Sequence, residues 1–336
     1  MTLKDDLSCI ETKFQGHEKQ KALKSCLKCR KKAVILLPYG PQQYCAEHFS
    51  DLTERRVKKF IRQNDLINAK EKIVVALSGG KDSILLLHLL NKFFKKSNKL
   101  QALIIDEGIP SYRDKSVKLA VDVCKKLDVD YTVIKFEDFF GISISDIVVN
   151  HLEKNPKLGT SCSFCGIMRR RIMNSFALKV KADKLATGHN LDDEDQSILM
   201  NIFDNNVQKF LRQGPKAGIK KLAEFVTRVK PLGVLPEKEI IAYCYFNNIK
   251  FHEDLCCPFS KEAKRNHFRS MLNEFEEKYP GTKHSVLNFF LELKLYLNTE
   301  NEKKKKVIHC RKCLEISSGA VCNVCLKLDS LRNSGS

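Results

Sequence analysis

The chain has 336 residues, of which 43% are hydrophobic, and 59 Lys and Arg stand against 40 Asp and Glu for a formal charge of +19. That length and apolar content support one α/β domain with appendages or two modest domains. No apolar run is long enough to cross a bilayer, and the polar stretch from Met1 to Gln20 has no signal-peptide pattern, so no membrane partner and a cytoplasmic location are expected.

The basic excess points to a polyanionic partner, nucleic acid ahead of a membrane, with a generally basic soluble surface as the plain alternative. Fourteen cysteines in such a chain need an explanation other than disulfides. Most fall in close pairs, which is metal-ligand spacing. Cys9, Cys124 and Cys244 stand alone and read as thiols without chemistry.

Residues 1–20 read as a mobile lead-in. Cys26-Leu-Lys-Cys29 and Cys45-Ala-Glu-His48 follow, fifteen residues apart. Cys26, Cys29, Cys45 and His48 suit a tetrahedral Zn²⁺ in a structural site, because protein fills all four positions. A module this small cannot bury enough core, so the metal supplies its folding energy. Phe49 through Lys70 then reads as an amphipathic helix with Arg55, Arg56, Lys58, Lys59 and Arg62 among apolar residues. Its basic face is either a solvated linker or a phosphate contact.

Beyond it, strands expected at Lys72–Leu77, Gln101–Asp106, Tyr131–Phe136 and Lys184–Thr187 alternate with helices at Asp82–Phe94, Arg113–Leu127, Arg169–Lys181 and Asp192–Phe203. Such alternation implies a doubly wound parallel sheet, with ligands at the carboxyl ends of its strands. The first strand end carries Val75-Ala-Leu-Ser-Gly-Gly-Lys-Asp-Ser83. A glycine turn between a buried strand and a helix N-terminus is an anion site, because the first N–H groups lack partners and the helix dipole favours negative charge. Gly79 and Gly80 permit close approach of a phosphate, Ser78 and Ser83 can donate to it, and Lys81 adds charge. The lysine directly follows the glycine pair, so this is not the GxxxxGK(S/T) loop. Ile104-Ile105-Asp106-Glu107-Gly108 reads as a nucleobase wall. Thr187-Gly188-His-Asn-Leu-Asp192-Asp193 ends the fourth strand. Asp192, Asp193 and Glu194 either cap a helix or converge on the phosphate crevice to hold Mg²⁺.

Gly159-Thr-Ser-Cys162-Ser-Phe-Cys165-Gly166 lies between strands three and four, ahead of Arg169, Arg170 and Arg171. With Leu255-Cys256-Cys257-Pro258, three thiolates from two segments could hold an iron–sulfur cluster with one iron open, or act as a persulfide relay. A strand near Phe225–Val229 and helices at Pro236–Phe246, Lys261–Glu277 and Thr282–Leu297 come next, then a charged linker from Asn298 to Lys306. Cys310, Cys313, Cys322 and Cys325 form two CxxC pairs eight residues apart, a compact Zn²⁺ ribbon. Residues 330–336 read as a tail.

The loop SGGKDS resembles the PP-loop of the ATP pyrophosphatases. The Cys26–His48 module, that loop, Ile105-Asp-Glu-Gly-Ile109 with Tyr112-Arg113-Asp114, the Cys162–Cys165 pair, Thr187 through Asp193, Leu199-Met-Asn201, Cys257-Pro258 and the terminal ribbon occur in this order. Together they resemble the cytosolic tRNA 2-thiolation proteins of archaeal and eukaryotic type, which are related to bacterial T-loop thiolation enzymes. The resemblance covers roughly residues 24–327. It implies a zinc finger over 22–50, a helical linker over 51–70, a PP-loop catalytic domain over 71–255, a helical extension over 256–300 and a zinc ribbon over 308–327. ATP would sit over Ser78, Gly79, Gly80, Lys81, Asp82 and Ser83. Asp82 and Asp193 would be the acids at its phosphates and Mg²⁺. Ala76, Leu77, Ser78, Ile105 and Gly188 would make main-chain contacts to adenosine, and Arg169 would face the phosphates. Cys162, Cys165 and Cys257 would ligate a [4Fe–4S] cluster.

The implied reaction adenylates O2 of a tRNA uridine and then replaces it with sulfur. The implied donor is a thiocarboxylated ubiquitin-like carrier, with free sulfide as the alternative, and a homodimer is compatible with the resemblance. Asp195 and Ser197 depart from the Ala and Thr expected in the DDxAxT segment, and Cys256 competes with Cys257 as third ligand. Alternatives are a 2-thiocytidine synthetase, which would carry two central CxxC pairs, a sulfonucleotide reductase, which would lack the flanking zinc modules, and a non-catalytic zinc-ribbon RNA-binding protein. The intact SGGKDS and GHNxDD runs argue against the last.

Overall fold

The computed structural model describes residues 24–217, 225–252, 257–259, 264–297, 308–317 and 319–333. Cys9, Cys256 and the 298–306 linker lie outside them. A hairpin of β1 (Ile35–Leu37) and β2 (Gln42–Tyr44) leads into α1 (Ala46–Gln63). The main sheet has six strands: β3 (Lys72–Ala76), β4 (Lys99–Asp106), β5 (Asp130–Lys135), β6 (Lys184–Ala186), β7 (Lys216–Ala217) and β8 (Thr227–Val229). Their order is β5-β4-β3-β6-β8-β7, parallel throughout except for the β7–β8 edge pair.

Successive residues of a strand face opposite sides, and the cores follow that rule. Ile73, Val75 and Leu77 of the first strand segment join one cluster with Ala102, Ile104 and Ala186. Val74 joins the other with Leu103, Ile105 and Leu185. The first cluster takes in α1, α2 (Lys81–Phe94), α3 (Arg113–Leu127), α5 (Leu191–Phe203), α6 (Glu237–Phe246) and α8 (Thr282–Leu297). The second takes in α4 (Ser161–Lys179) and α9 (Asn323–Asn333). The helix α7 (Lys264–Lys278) packs on α5 and α8. A strand buried on both faces reads as a continuous apolar run, which is why the doubly wound sheet was legible.

The chain order places β4 and β5 on one side of β3 and β6 on the other. The sheet therefore switches direction between β3 and β6, and the carboxyl ends of those two strands open the ligand crevice. SGGKDS leaves one and Thr187–Asp193 leaves the other.

Two expectations are corrected. α4 begins at Ser161, eight residues before the expected Arg169, so the Cys162–Cys165 pair lies on its first turns instead of in a loop. Phe164, Met168, Ile172 and Phe176 recur every four residues and are buried, and Thr160 caps the helix by accepting from the Ser163 N–H at 3.3 Å. Residues 330–333 are helical, because Leu328 and Leu331 pack into the core cluster of α4, with Leu331 3% exposed. The remaining terminal residues lie outside the described set. Cys124 and Cys244 are fully buried. Among the described residues no helix is long and apolar enough to cross a membrane.

Candidate active site

The phosphate loop is folded by its own side chains. Gly79 has φ +89, and a Cβ there would meet the Ser116 carbonyl oxygen at 2.3 Å, so only glycine fits between the loop and α3. Ser83 Oγ donates to the Gly80 carbonyl at 3.0 Å and accepts the Ser78 N–H at 3.1 Å. The Ser83 hydroxyl thus closes the loop rather than reaching outward. Lys81 pairs with Asp82 at 3.1 Å and Glu237 at 2.8 Å. Burial pulls its pKa down, but the two carboxylates outweigh it and hold the ammonium above its ordinary range.

Gly188 provides a close approach, and what it approaches is the phosphate loop itself. A Cβ at Gly188 would lie 2.9 Å from the Ser83 nitrogen. This contact seats the β6 loop against the start of α2, and Asn190 Nδ2 donates to Asp82 Oδ1 at 3.0 Å across the seam. Asn190 also exchanges capping bonds with Asp193. Burial raises the Asp82 pKa, and the nearby Asp193 charge adds to it.

The three acids opening α5 do not converge. Asp192 accepts the Glu237 N–H at 2.7 Å and pairs with the buried Lys283 ammonium. Glu194 pairs with Lys230 at 2.5 Å. Asp193 alone faces Asp82, and it also accepts from Arg265 at 2.9 Å. Helical rotation of 100° per residue explains the split, because consecutive residues cannot share one face. Arg265 reaches Ser197 Oγ at 2.9 Å as well. His189 is held down to about 4 by burial, so its ring is neutral in the crevice.

Glu107 lies within the expected nucleobase wall, and its partner there is Arg113, a residue with no expected role. Arg113 is 3% exposed and donates to the carbonyls of Ser78, at 2.8 Å, and Ile105. It therefore ties the ends of β3 and β4 together, using carbonyls expected to face adenosine. Glu107, 2% exposed, pairs with Arg113 and with Arg169, each at 2.5 Å. Arg169, one turn after Cys165 on the cysteine helix, is thereby held against the end of β4. Its charge acts on the thiols of Cys165 and Cys257. The expected nucleobase wall is thus a buried ion bridge at its centre.

Cys162 and Cys165 lie one helical turn apart on α4, Cys162 exposed and Cys165 half-buried. Cys257 comes from a distant segment and packs against the same apolar cluster as α4. The His252 N–H donates to the Gly79 carbonyl at 3.0 Å, which lays the chain at His252, five residues ahead of Cys257, along the phosphate loop. Ser161 Oγ then donates to the Phe259 carbonyl at 2.9 Å, joining the Cys257 segment to the start of α4. Burial pushes the Cys165 thiol up to about 12, with Arg169 pulling it back.

The two other cysteine groups are tighter. The ligand atoms of Cys26, Cys29, Cys45 and His48 lie within 4.8 Å of one another, as do those of Cys310, Cys313, Cys322 and Cys325. Zn–S bonds of about 2.3 Å give a tetrahedral S···S edge of about 3.8 Å. The Cys29–Cys45 and Cys313–Cys322 separations are 3.7 and 3.6 Å. Against desolvation, backbone N–H groups pull the Cys26 and Cys310 thiols down to about 6, the thiolate character a metal ligand needs. Both groups fit a single tetrahedral ion. Among the described residues Cys162, Cys165 and Cys257 form no such tight group.

The chain is similar to known proteins over most of its length. The PP-loop domain family matches residues 50–275. The tRNA 2-thiolation protein NcsA of Haloferax volcanii is 35% identical over 321 residues, covering 91% of this chain and 98% of that protein. The tRNA-5-methyluridine(54) 2-sulfurtransferase of Pyrococcus horikoshii is 33% identical, covering 89% and 92%. The structure of the U34-tRNA thiolase NcsA of Methanococcus maripaludis, solved with its [4Fe–4S] cluster, superposes with a TM-score of 0.77 at 32% identity over 91% of this chain and 96% of that one. Likeness of this extent means that the chain belongs to the PP-loop family of tRNA 2-thiolation proteins.

Proposed function

We propose that the protein is an ATP-dependent tRNA 2-sulfurtransferase that replaces O2 of a uridine with sulfur. One observation carries this reading: the segment bearing Cys257 is bonded both to the phosphate loop, through His252 and Gly79, and to the cysteine helix, through Phe259 and Ser161. Activation and sulfur delivery thus share one crevice.

ATP lies with its phosphates over the N–H groups of Gly79 through Ser83 at the start of α2. Mg²⁺, where bound, would sit between those phosphates and the Asp82–Asp193 pair. Ala76, Leu77 and Gly188 line the nucleoside side, with Ser78 and Ile105 offering what Arg113 leaves. The uridine O2 attacks the α-phosphorus, the bond to pyrophosphate breaks, and O2 becomes part of a good leaving group. A sulfur nucleophile then adds at C2 and AMP departs. A [4Fe–4S] cluster held by Cys162, Cys165 and Cys257 would supply an open iron to carry that sulfur. Arg169, fixed by Glu107, places positive charge beside these thiols. The sulfur comes from a thiocarboxylated ubiquitin-like carrier, and free sulfide is the second source. The Cys26–His48 and Cys310–Cys325 groups each hold a structural Zn²⁺.

The relatives' names cover two tRNA positions, 34 and 54. Mass spectrometry of tRNA nucleosides from a deletion strain tests the function and reads the position at once. Loss of 2-thiouridine or 2-thioribothymidine supports the assignment. An unchanged nucleoside profile rejects it.

A further inference from the structure

The C-terminal cysteine group does more than end the chain. Its helix α9 lies on α4, the helix that carries Cys162 and Cys165. Two anchors hold the group in place. Glu315 pairs with Arg171 at 2.9 Å and accepts from Ser175 Oγ at 3.1 Å. Leu328 and Leu331 pack into the apolar cluster around Phe164 and Met168. A third contact goes elsewhere. Lys327, two residues after Cys325, extends to the turn that precedes α4.

There its ammonium donates to the Leu158 carbonyl at 2.8 Å and lies 4.3 Å from the centre of the Phe164 ring. Phe164 is fully buried and stands between the two cysteines in sequence. Gly159 has φ +113, and a Cβ there would come within 2.9 Å of the Lys327 nitrogen. The turn and this ammonium are therefore in close contact. A charged donor on a carbonyl and a cation over a ring are each stronger than their neutral counterparts. Together they pin the loop and the first turn of α4, the part of a helix that otherwise frays most readily.

We infer that Lys327 is a positioning residue through which the C-terminal zinc ribbon fixes the geometry of the Cys162–Cys165 pair. The inference deepens the cluster reading of those cysteines and rests on it for its purpose, but its first readout needs no cluster. The ribbon then serves the sulfur chemistry directly, in addition to any contact with tRNA.

The test is alkylation of the zinc-loaded, cluster-free full chain by iodoacetamide, followed peptide by peptide. Lys327→Met keeps the hydrocarbon stem and removes the charge. It should raise the rate at Cys165 by about two- to tenfold, the range expected for one lost hydrogen bond, while buried Cys124 and Cys244 keep their rates. Lys327→Arg should restore protection. Unchanged Cys165 reactivity in Lys327→Met, or an equal rise at Cys124 and Cys244, overturns the inference. If Lys327→Met fails to accumulate, Lys327→Ala removes the ammonium in a second way and must give the same selective rise. Reconstituted protein supplies the second readout, a shorter lifetime of the cluster absorption in air for Lys327→Met. A chain that never takes up a cluster but shows the selective alkylation change defeats the cluster reading and leaves the positioning role standing.

Discussion

Asn190 donates from Nδ2 to Oδ1 of Asp82 at 3.0 Å, and this bond joins the two loops that leave the central strands of the sheet. It also favours the ionised form of Asp82, against the burial and the Asp193 charge that raise its pKa. Asp82→Asn should lower tRNA-dependent pyrophosphate release by about 10²–10³, the scale of losing one electrostatic contact in an active site. Asn190→Ala should act more mildly and move the acid limb of the pH–rate profile to higher pH, because Asp82 then protonates more readily. An acid limb that stays in place would show that Asp82 is not the titrating group.

The cysteine set makes a separate prediction. Cys162→Ala, Cys165→Ala and Cys257→Ala should each abolish thiolation and the visible cluster absorption. Pyrophosphate release and the zinc of both terminal groups should persist, since none of the three belongs to those groups. Anaerobic single-turnover assays with metal analysis check this. Full thiolation by any one variant would remove that residue from the ligand set.

The strand–glycine–helix unit at SGGKDS was legible because every part of it is local. The same holds for the two tight metal-ligand groups, whose spacing survives in a linear reading. The start of α4 was legible in principle, since Phe164, Met168, Ile172 and Phe176 repeat at helical spacing, but the cysteine pair drew attention to itself as a motif. The fates of Asp192 and Glu194 were hidden for another reason. Their partners Lys283 and Lys230 lie 91 and 36 residues away, and nothing local distinguishes an acid that pairs across the core from one that faces ATP. The role of Lys327 was hidden likewise, its acceptor at Leu158 being 169 residues distant.

Asp195 gives a pH prediction. It is fully buried on α5, and among the described residues neither carboxyl oxygen has a hydrogen-bond partner. Burial, reinforced by the Asp192 charge, pushes its pKa from 3.8 up to about 9. Between those values the folded state holds a proton that the unfolded state has released. Stability from this group is therefore fully present below pH 3.8 and falls as pH rises toward about 9, by at most ~1.4 kcal/mol per pH unit. Asp195→Asn keeps the shape and removes the titration. Urea melts across this range should show a flatter pH dependence and higher stability at pH 8 for the variant. Parallel curves for the two proteins would mean that the carboxyl is ionised in the fold.

The N-terminal Cys26–His48 group is tied to the core by a buried network whose weight can be measured. Tyr39, in the hairpin turn, donates to Glu239 Oε1 at 2.5 Å and accepts from Arg56 at 2.8 Å. Arg56 pairs with Glu239, donates to the Val234 carbonyl at 3.0 Å and meets His284 Nε2 at 2.9 Å. Burial pulls the His284 pKa down to about 4, so its neutral ring can accept from the guanidinium. Four elements from distant parts of the chain thus share one ion pair. Removing one partner of a buried pair leaves the other charge uncompensated, which typically costs about 3–5 kcal/mol. Arg56→Met should destabilise by that order in urea melts. Arg56→Met combined with Glu239→Leu should recover a large part of the loss, because the stranded carboxylate is gone. If the double variant is no better than Arg56→Met alone, the arginine acts through its bonds to Val234 and His284 and not by neutralising Glu239.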